Sequence, residues 1–184
     1  MVADHAPAPL RRFFDPLVRR SFGDLSIGDQ PVADYLADLL TRFARTEALY
    51  AIRGAGGRRL DTVVDLLLEA QRAWEFHAAD FDPFREREIK QQIGDYTLFM
   101  TGVFREFVEG RSITGYYVRE GKRAYRFVSQ HDKSALKPRA SLFAALAGGF
   151  ENYAGALTYM KKVYLRPELH PAPYQPFLRL LAEW

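Results

Sequence analysis

The feature that most constrains the fold is an apolar stripe between residues 89 and 107. Its members alternate in steps of four and three residues: Ile89, Ile93, Tyr96, Met100, Val103 and Phe107. That spacing places them on one face of an α-helix, and such a face has to be buried against other elements. Asp82 and Pro83 precede the stripe as an N-cap and a first-turn proline, and Gly110 follows it. We therefore predict a long, buried helix from residue 83 to about residue 109.

Comparable apolar spacing predicts helices along the rest of the chain. The predicted segments are residues 10–22, 31–50, 61–79, 112–130, 140–165 and 177–184. Because no segment shows strand alternation between hairpin turns, we predict an all-α fold, a single-domain antiparallel helical bundle of five to six main helices over residues 10–184. Residues 1–9 are expected to form a flexible tail, and the Pro-rich segment 166–176 should precede a short C-terminal helix.

The composition of the 184-residue chain excludes several classes of function. It has no cysteine, which excludes disulfides, thiolate catalysis and cysteine-ligated metal centres. The longest uncharged apolar run, residues 140–150, is too short to span a bilayer. Because the N-terminal residues also lack the apolar core of a signal peptide, we expect a cytoplasmic protein with no membrane partner.

Positive charge is concentrated in residues 111–139, a stretch that includes the helix predicted for residues 112–130. Residues 93–184 carry 13 Lys or Arg against 8 Asp or Glu, a net charge of +5, whereas the whole chain carries +3. Arg119, Arg123 and Arg126 are spaced to share one helix face, with Lys122 beside them and Tyr116 nearby. Such a row is able to bind phosphates or an acidic partner, and a tyrosine is able to stack on bases. The alternative is a solvated face whose charges are partly paired internally.

One internal ion pair follows from the predicted helical hairpin. If the chain turns at Gly110, then Asp95 and Arg126 lie at about equal distances from the turn and at the same level of the bundle. Asp95 is flanked by apolar residues, and a buried carboxylate needs a charged or hydrogen-bonding partner. We therefore predict a buried Asp95–Arg126 ion pair.

Signals for catalysis are absent from the sequence. It contains no Glu-x-x-His pair of di-iron bundles, no His-Glu-x-x-His and no Gly-x-Ser-x-Gly. We therefore expect no catalytic residues, no metal and no cofactor. His77, Asn152 and Tyr153 are the polar candidates for a pocket between helices. Tight packing of the small residues around Asn152 is the simpler interpretation of that segment.

Three functions remain open from the sequence. The first is a non-enzymatic protein-interaction or regulatory module, with a protein partner or self-association through aromatic side chains in the end segments. Those side chains are Phe13, Phe14, Phe22, Tyr174 and Trp184. The second is anion or nucleic-acid binding through the basic helix at residues 112–130. The third, a small-molecule or metal-dependent enzyme in the bundle core, has the least support because the usual ligand motifs are absent.

Overall fold

The computed structural model describes residues 8–44 and 82–182, and within these ranges the chain forms helices and no strand. The α-helices are α1 (Ala8–Asp24), α2 (Gln30–Phe43), α3 (Pro83–Val103), α4 (Arg105–Gly110), α5 (Thr114–Ser134), α6 (Ala140–Gly148), α7 (Phe150–Tyr164) and α8 (Gln175–Ala182). Two short 3-10 turns, Pro167–Leu169 and Ala172–Tyr174, lie between α7 and α8. The all-α prediction is confirmed for this part of the chain. The helix predicted at residues 61–79 and residues 1–7 of the predicted tail lie outside the described residues.

Local capping sets the start of two of these helices. The Asp82 carboxylate accepts hydrogen bonds from the backbone N–H groups of Phe84 and Arg85, at 3.0 and 3.2 Å. Asp29 caps α2 in the same way, because its carboxylate accepts the N–H of Val32 at 3.2 Å. Each cap satisfies donors that the first turn of a helix leaves unpaired. Both helices also have a proline at their first or second position, where its missing N–H removes no helical hydrogen bond.

Two helices predicted to be continuous are each broken in the structure, and α1 is continuous despite an internal proline. Helix α1 runs uninterrupted through Pro16, which is exposed, so that water can solvate the carbonyl that its ring leaves unbonded. The predicted helix 83–109 is broken at Phe104, whose φ and ψ of −110° and 41° end α3 and start α4 in a new direction. The predicted helix 140–165 is broken at Gly149, the second of two glycines that weaken the helix there.

Helix α3 lies at the centre of the described fold. It packs against α5 and α7, α5 also packs against α6, and α1 packs against α2 and α7. The predicted stripe points inward: Ile89, Ile93 and Val103 are at most 1% exposed. The largest fully buried side chains of the described residues include Tyr125, Phe14, Phe22, Phe143 and Phe150. Within the described residues, no helix is both long enough and apolar enough to cross a membrane.

Close approach between helices depends on glycine at particular positions. A Cβ added at Gly121 of α5 would lie 2.4 Å from Thr97 Oγ1 of α3 and 2.5 Å from a ring carbon of Phe150. A Cβ added at Gly94 of α3 would lie 2.6 Å from the ring of Tyr125. These distances are shorter than van der Waals contact, so α3 and α5 approach this closely only because both positions lack a side chain.

Candidate functional site

Helix α5 is amphipathic, and its orientation exposes the row of positive charge. Gly121, Ala124, Tyr125 and Val128 are buried against the rest of the fold. The opposite side carries Arg119, Lys122, Arg123 and Arg126, which we call the basic face. The side chains of Arg119 and Arg123 are 62% and 68% exposed, respectively. The helix therefore presents cations to solvent over about 10 Å of its length.

Carboxylates in the described part of the chain neutralise only part of this charge. Arg119 and Arg123 share a single oxygen of Glu120, at 3.3 and 3.5 Å, which are long distances for charge-assisted hydrogen bonds. Lys122 pairs with Glu151 of α7 at 2.7 Å. Within the described residues, Arg126 forms no hydrogen bond or ion pair. Exposed pairs of this kind contribute little to stability, so they are readily exchanged for an external anion.

Two surface clefts adjoin the basic face. One, of about 390 Å³, lies between α3 and α5 and is lined by Lys90, Arg123, Arg126 and Phe127, among others. The other, of about 590 Å³, runs along α5 towards α7 and shares Arg123 and Arg126 with the first. Because both arginines line both clefts, a ligand in either cleft would contact the same two guanidinium groups.

Aromatic rings flank the same face. The Arg119 guanidinium lies over the half-buried ring of Tyr116, 5.5 Å from its centroid, and the Lys90 ammonium lies 5.6 Å from the ring centroid of Phe127. Burial, with a smaller contribution from the Glu120 charge, raises the pKa of Tyr116 above its ordinary value, so its hydroxyl is neutral at physiological pH. Lys90 and Phe127 are site residues that the sequence prediction missed, because Lys90 belongs to α3 and reaches the face only through the helix packing.

The predicted Asp95–Arg126 ion pair is wrong. Asp95 is fully buried, and its carboxylate accepts hydrogen bonds from the hydroxyls of Tyr35 at 2.5 Å and Tyr125 at 2.8 Å. Its charged partner is Arg42 of α2, at 2.9 Å. The hairpin register places Tyr125 rather than Arg126 opposite Asp95, and one residue further along a helix turns the side chain by about 100°. Arg126 is therefore exposed, and no carboxylate among the described residues pairs with it.

The predicted pocket is not formed by its two described members. Asn152 is exposed, whereas Tyr153 is buried and donates a hydrogen bond to Asp29 at 3.0 Å, so the two side chains lie on different faces of α7. Burial, together with that hydrogen bond, raises the pKa of Tyr153 to about 12. His77 lies outside the described residues. Among those that are described, no group of three or more histidine or acidic residues is placed to hold a metal ion.

The aromatic side chains predicted to form an association patch belong mainly to the core. Phe14 and Phe22 are each 1% exposed. Phe13 stacks on Tyr174 with 4.4 Å between ring centroids, and both rings are partly buried. Trp184 lies outside the described residues. The described rings are therefore used for packing within the fold, which leaves the basic face of α5 as the stronger candidate site.

Comparison with known proteins gives no further guide: no protein-family model, no curated protein and no solved structure matches the chain.

Proposed function

We propose that this chain is a non-enzymatic binding module that holds a single-stranded nucleic acid against the basic face of α5. The observation that carries the proposal is the shortage of internal carboxylates on that face. Arg126 has no acidic partner among the described residues, and Arg119 and Arg123 share one oxygen of Glu120. A polyanion would supply the missing negative charge and release its own counterions on binding.

The rings beside the cations favour nucleic acid over an acidic peptide. Tyr116 lies at one end of the basic face and Phe127 lines the cleft at the other. Binding of single strands combines a positively charged groove with aromatic surfaces on which bases stack. An acidic peptide would use the arginines in the same way but would gain little from the rings.

The test is fluorescence anisotropy of a short single-stranded oligonucleotide titrated with the full chain at several salt concentrations. If four cations contact phosphates, log Kd should rise with log salt concentration with a slope of about 3. Replacing one contact, by Arg123→Ala or Arg126→Ala, should weaken binding about fivefold and reduce that slope by about 0.7. Tyr116→Ala should weaken binding at all salt concentrations, because stacking is not electrostatic.

The matched control is Arg105→Ala. Arg105 is 48% exposed on α4 and pairs with Glu109 at 2.6 Å, away from the basic face, so its removal should leave the oligonucleotide affinity unchanged. Polyglutamate serves as the competing polyanion. If it binds as tightly as the oligonucleotide and Tyr116→Ala has no effect on either ligand, the partner is an acidic protein and the nucleic-acid proposal is wrong.

A further inference from the structure

The turn between α5 and α6 places a leucine in a conformation that glycine usually occupies. Leu136 has a φ of 53°, in the left-handed region. Its N–H donates to the carbonyl of Lys133 at 3.1 Å, and the N–H of Lys137 donates to the carbonyl of Asp132 at 2.8 Å. These two bonds define a Schellman motif at the end of α5, in which glycine is preferred because it has no Cβ to be crowded.

Two other helix ends in this chain form the same motif with a different arrangement of side chains. Ser26 and Ser112 occupy the left-handed position after α1 and α4, with φ of 56° and 57°. The residues that follow them, Ile27 and Ile113, pack against the core. There the polar residue takes the unfavourable backbone conformation and the apolar residue is buried, as is usual for this motif. At the end of α5 this arrangement is reversed: the apolar Leu136 takes the left-handed conformation, and the polar Lys137 is the residue that follows it.

Leu136 is consequently unfavourable in two independent respects. Its backbone conformation disfavours any residue with a Cβ, and its side chain is 92% exposed. Nothing in the described part of the fold requires leucine at this position, because a side chain that is 92% exposed contributes almost nothing to the described core. Phe84, 68% exposed, lies at the same end of the bundle, with its ring 6.3 Å from that of His131 in the last turns of α5.

The charged residues nearest to this exposed leucine along the chain are positive, apart from Asp132. Lys133, Lys137 and Arg139 are all exposed, and Asp132 is the only acidic residue between positions 121 and 150. The Asp132 carboxylate is already bound by both arms of the Arg87 guanidinium, at 2.9 and 2.7 Å, and lies 3.9 Å from the Lys137 ammonium. The turn at residues 133–139 therefore presents an exposed apolar side chain in a segment whose charged residues are all positive.

We infer that residues 133–139, together with Phe84, form a docking tip that inserts Leu136 into the surface of an anionic lipid bilayer. A bilayer supplies negative charge and an apolar interior together, and it adapts to a convex tip without a complementary pocket. A single inserted side chain binds weakly, and the neighbouring cations supply the second contribution that peripheral binding needs. The expectation of no membrane partner rested on the lack of a long apolar segment, which binding of this kind does not require.

The first experiment separates binding from stability by vesicle co-sedimentation of the full chain. The vesicles are phosphatidylcholine alone, or phosphatidylcholine with phosphatidylserine. We expect binding only to the second, weakened by salt. Leu136→Gly should lower the partition coefficient about fivefold and raise the melting temperature by about 2 °C, because it removes the inserted group and relieves the backbone. Ser26→Gly and Ser112→Gly should raise the melting temperature similarly and leave lipid binding unchanged.

The second experiment locates the inserted residue. The chain has no cysteine, so Leu136→Cys provides a unique site for an environment-sensitive dye. Its emission should shift to the blue with phosphatidylserine vesicles. A dye at Ser112→Cys, at the opposite end of α5 and about 30 Å away, should not respond.

Two results would overturn the proposal. One is no binding to phosphatidylserine vesicles, which would leave an acidic protein as the partner of this tip. The other is binding that Leu136→Gly does not weaken or that leaves the dye at position 136 unshifted, which would assign the lipid contact to another surface. The outcome is independent of the proposed function, because Leu136→Gly should leave the oligonucleotide affinity unchanged and Arg123→Ala should leave lipid binding unchanged.

Discussion

Asp95 shows how one buried charge can organise several helices. Its carboxylate accepts hydrogen bonds from Tyr35 and Arg42 of α2 and from Tyr125 of α5, while Asp95 itself belongs to α3. A buried carboxylate is costly unless its lone pairs are satisfied, and in the described part of the chain no buried side-chain polar atom lacks a hydrogen-bond partner. The sequence indicated that Asp95 needs a partner, but spacing alone could not distinguish residue 125 from residue 126.

The partners of Asp95 can be tested by urea denaturation of single variants. Asp95→Asn should lower the free energy of unfolding by about 2–4 kcal/mol, because it removes the charge that two tyrosines and Arg42 are placed to bind. Arg42→Ala should also destabilise the fold, by less, since its side chain is 42% exposed. Arg126→Ala should change the free energy of unfolding by less than about 0.5 kcal/mol.

The control for this series is Asp38→Asn. Asp38 is 57% exposed and pairs with Arg11 at 2.5 Å, so loss of its charge should cost less than about 1 kcal/mol. If Arg126→Ala proves as destabilising as Arg42→Ala, the assignment of Arg42 as the charged partner of Asp95 is wrong.

Helices were predictable where their signals are local. The Asp82–Pro83 cap and the stripe that follows it correctly predicted the start and the buried face of α3. The break at Phe104 was not predicted, because neither Phe104 nor the residue on either side of it is a glycine or proline, the residues that usually mark the end of a helix. The row Arg119, Arg123 and Arg126 was visible in the sequence, whereas the contribution of Lys90 from α3 depends on the register of the two helices.

Packing between α3 and α5 gives a prediction for Gly121. Gly121→Ala should lower the free energy of unfolding by about 1–3 kcal/mol, because the added methyl group would overlap Thr97 and Phe150. Gly155→Ala is the matched control: its added Cβ would meet no atom within 4 Å, so the higher helix propensity of alanine should stabilise α7 by up to about 1 kcal/mol. Chemical denaturation of both variants checks the pair, and equal effects of the two would contradict the close contact at Gly121.

On the scale of the whole molecule, the two ends of the described chain are joined by aromatic packing. Phe13 of α1 contacts His170 and Tyr174, with ring centroids 4.9 and 4.4 Å apart. The sequence suggested that rings in the terminal segments had too little core to enter, because it could not show that these segments meet. Contacts between residues about 160 positions apart are a property of the complete fold, and they explain why Phe13 and Tyr174 are partly buried instead of forming an exposed aromatic surface.

Buried tyrosine hydroxyls distributed over three helices predict how the whole fold responds to alkali. Burial, with the Asp95 charge as a further cause, raises the pKa of Tyr35 and of Tyr125 well above 10, and burial and the Asp29 hydrogen bond raise that of Tyr153 to about 12. A tyrosine whose pKa is higher in the folded state than in the unfolded state adds to the free energy of unfolding. This contribution is fully present at pH values below the pKa of the unfolded state. Above about pH 10 the unfolded chain releases these protons while the folded chain retains them, so the free energy of unfolding should fall as the pH rises towards 12.

A tyrosinate absorbance titration, recorded together with helical circular dichroism, measures this effect. The share of the tyrosinate absorbance that belongs to these three of the ten tyrosines should appear only at the high-pH end of the titration, together with the loss of the helical signal. In urea the same chain should titrate in one phase near pH 10. Because one cooperative fold holds all three hydroxyls, they should ionise together when it unfolds. Tyr153→Phe should therefore reduce the amplitude of this high-pH absorbance phase by about one-third. Complete ionisation with the helical signal intact would instead show that these hydroxyls are accessible to solvent, and the polar cluster around Asp95 would then not be sealed as described.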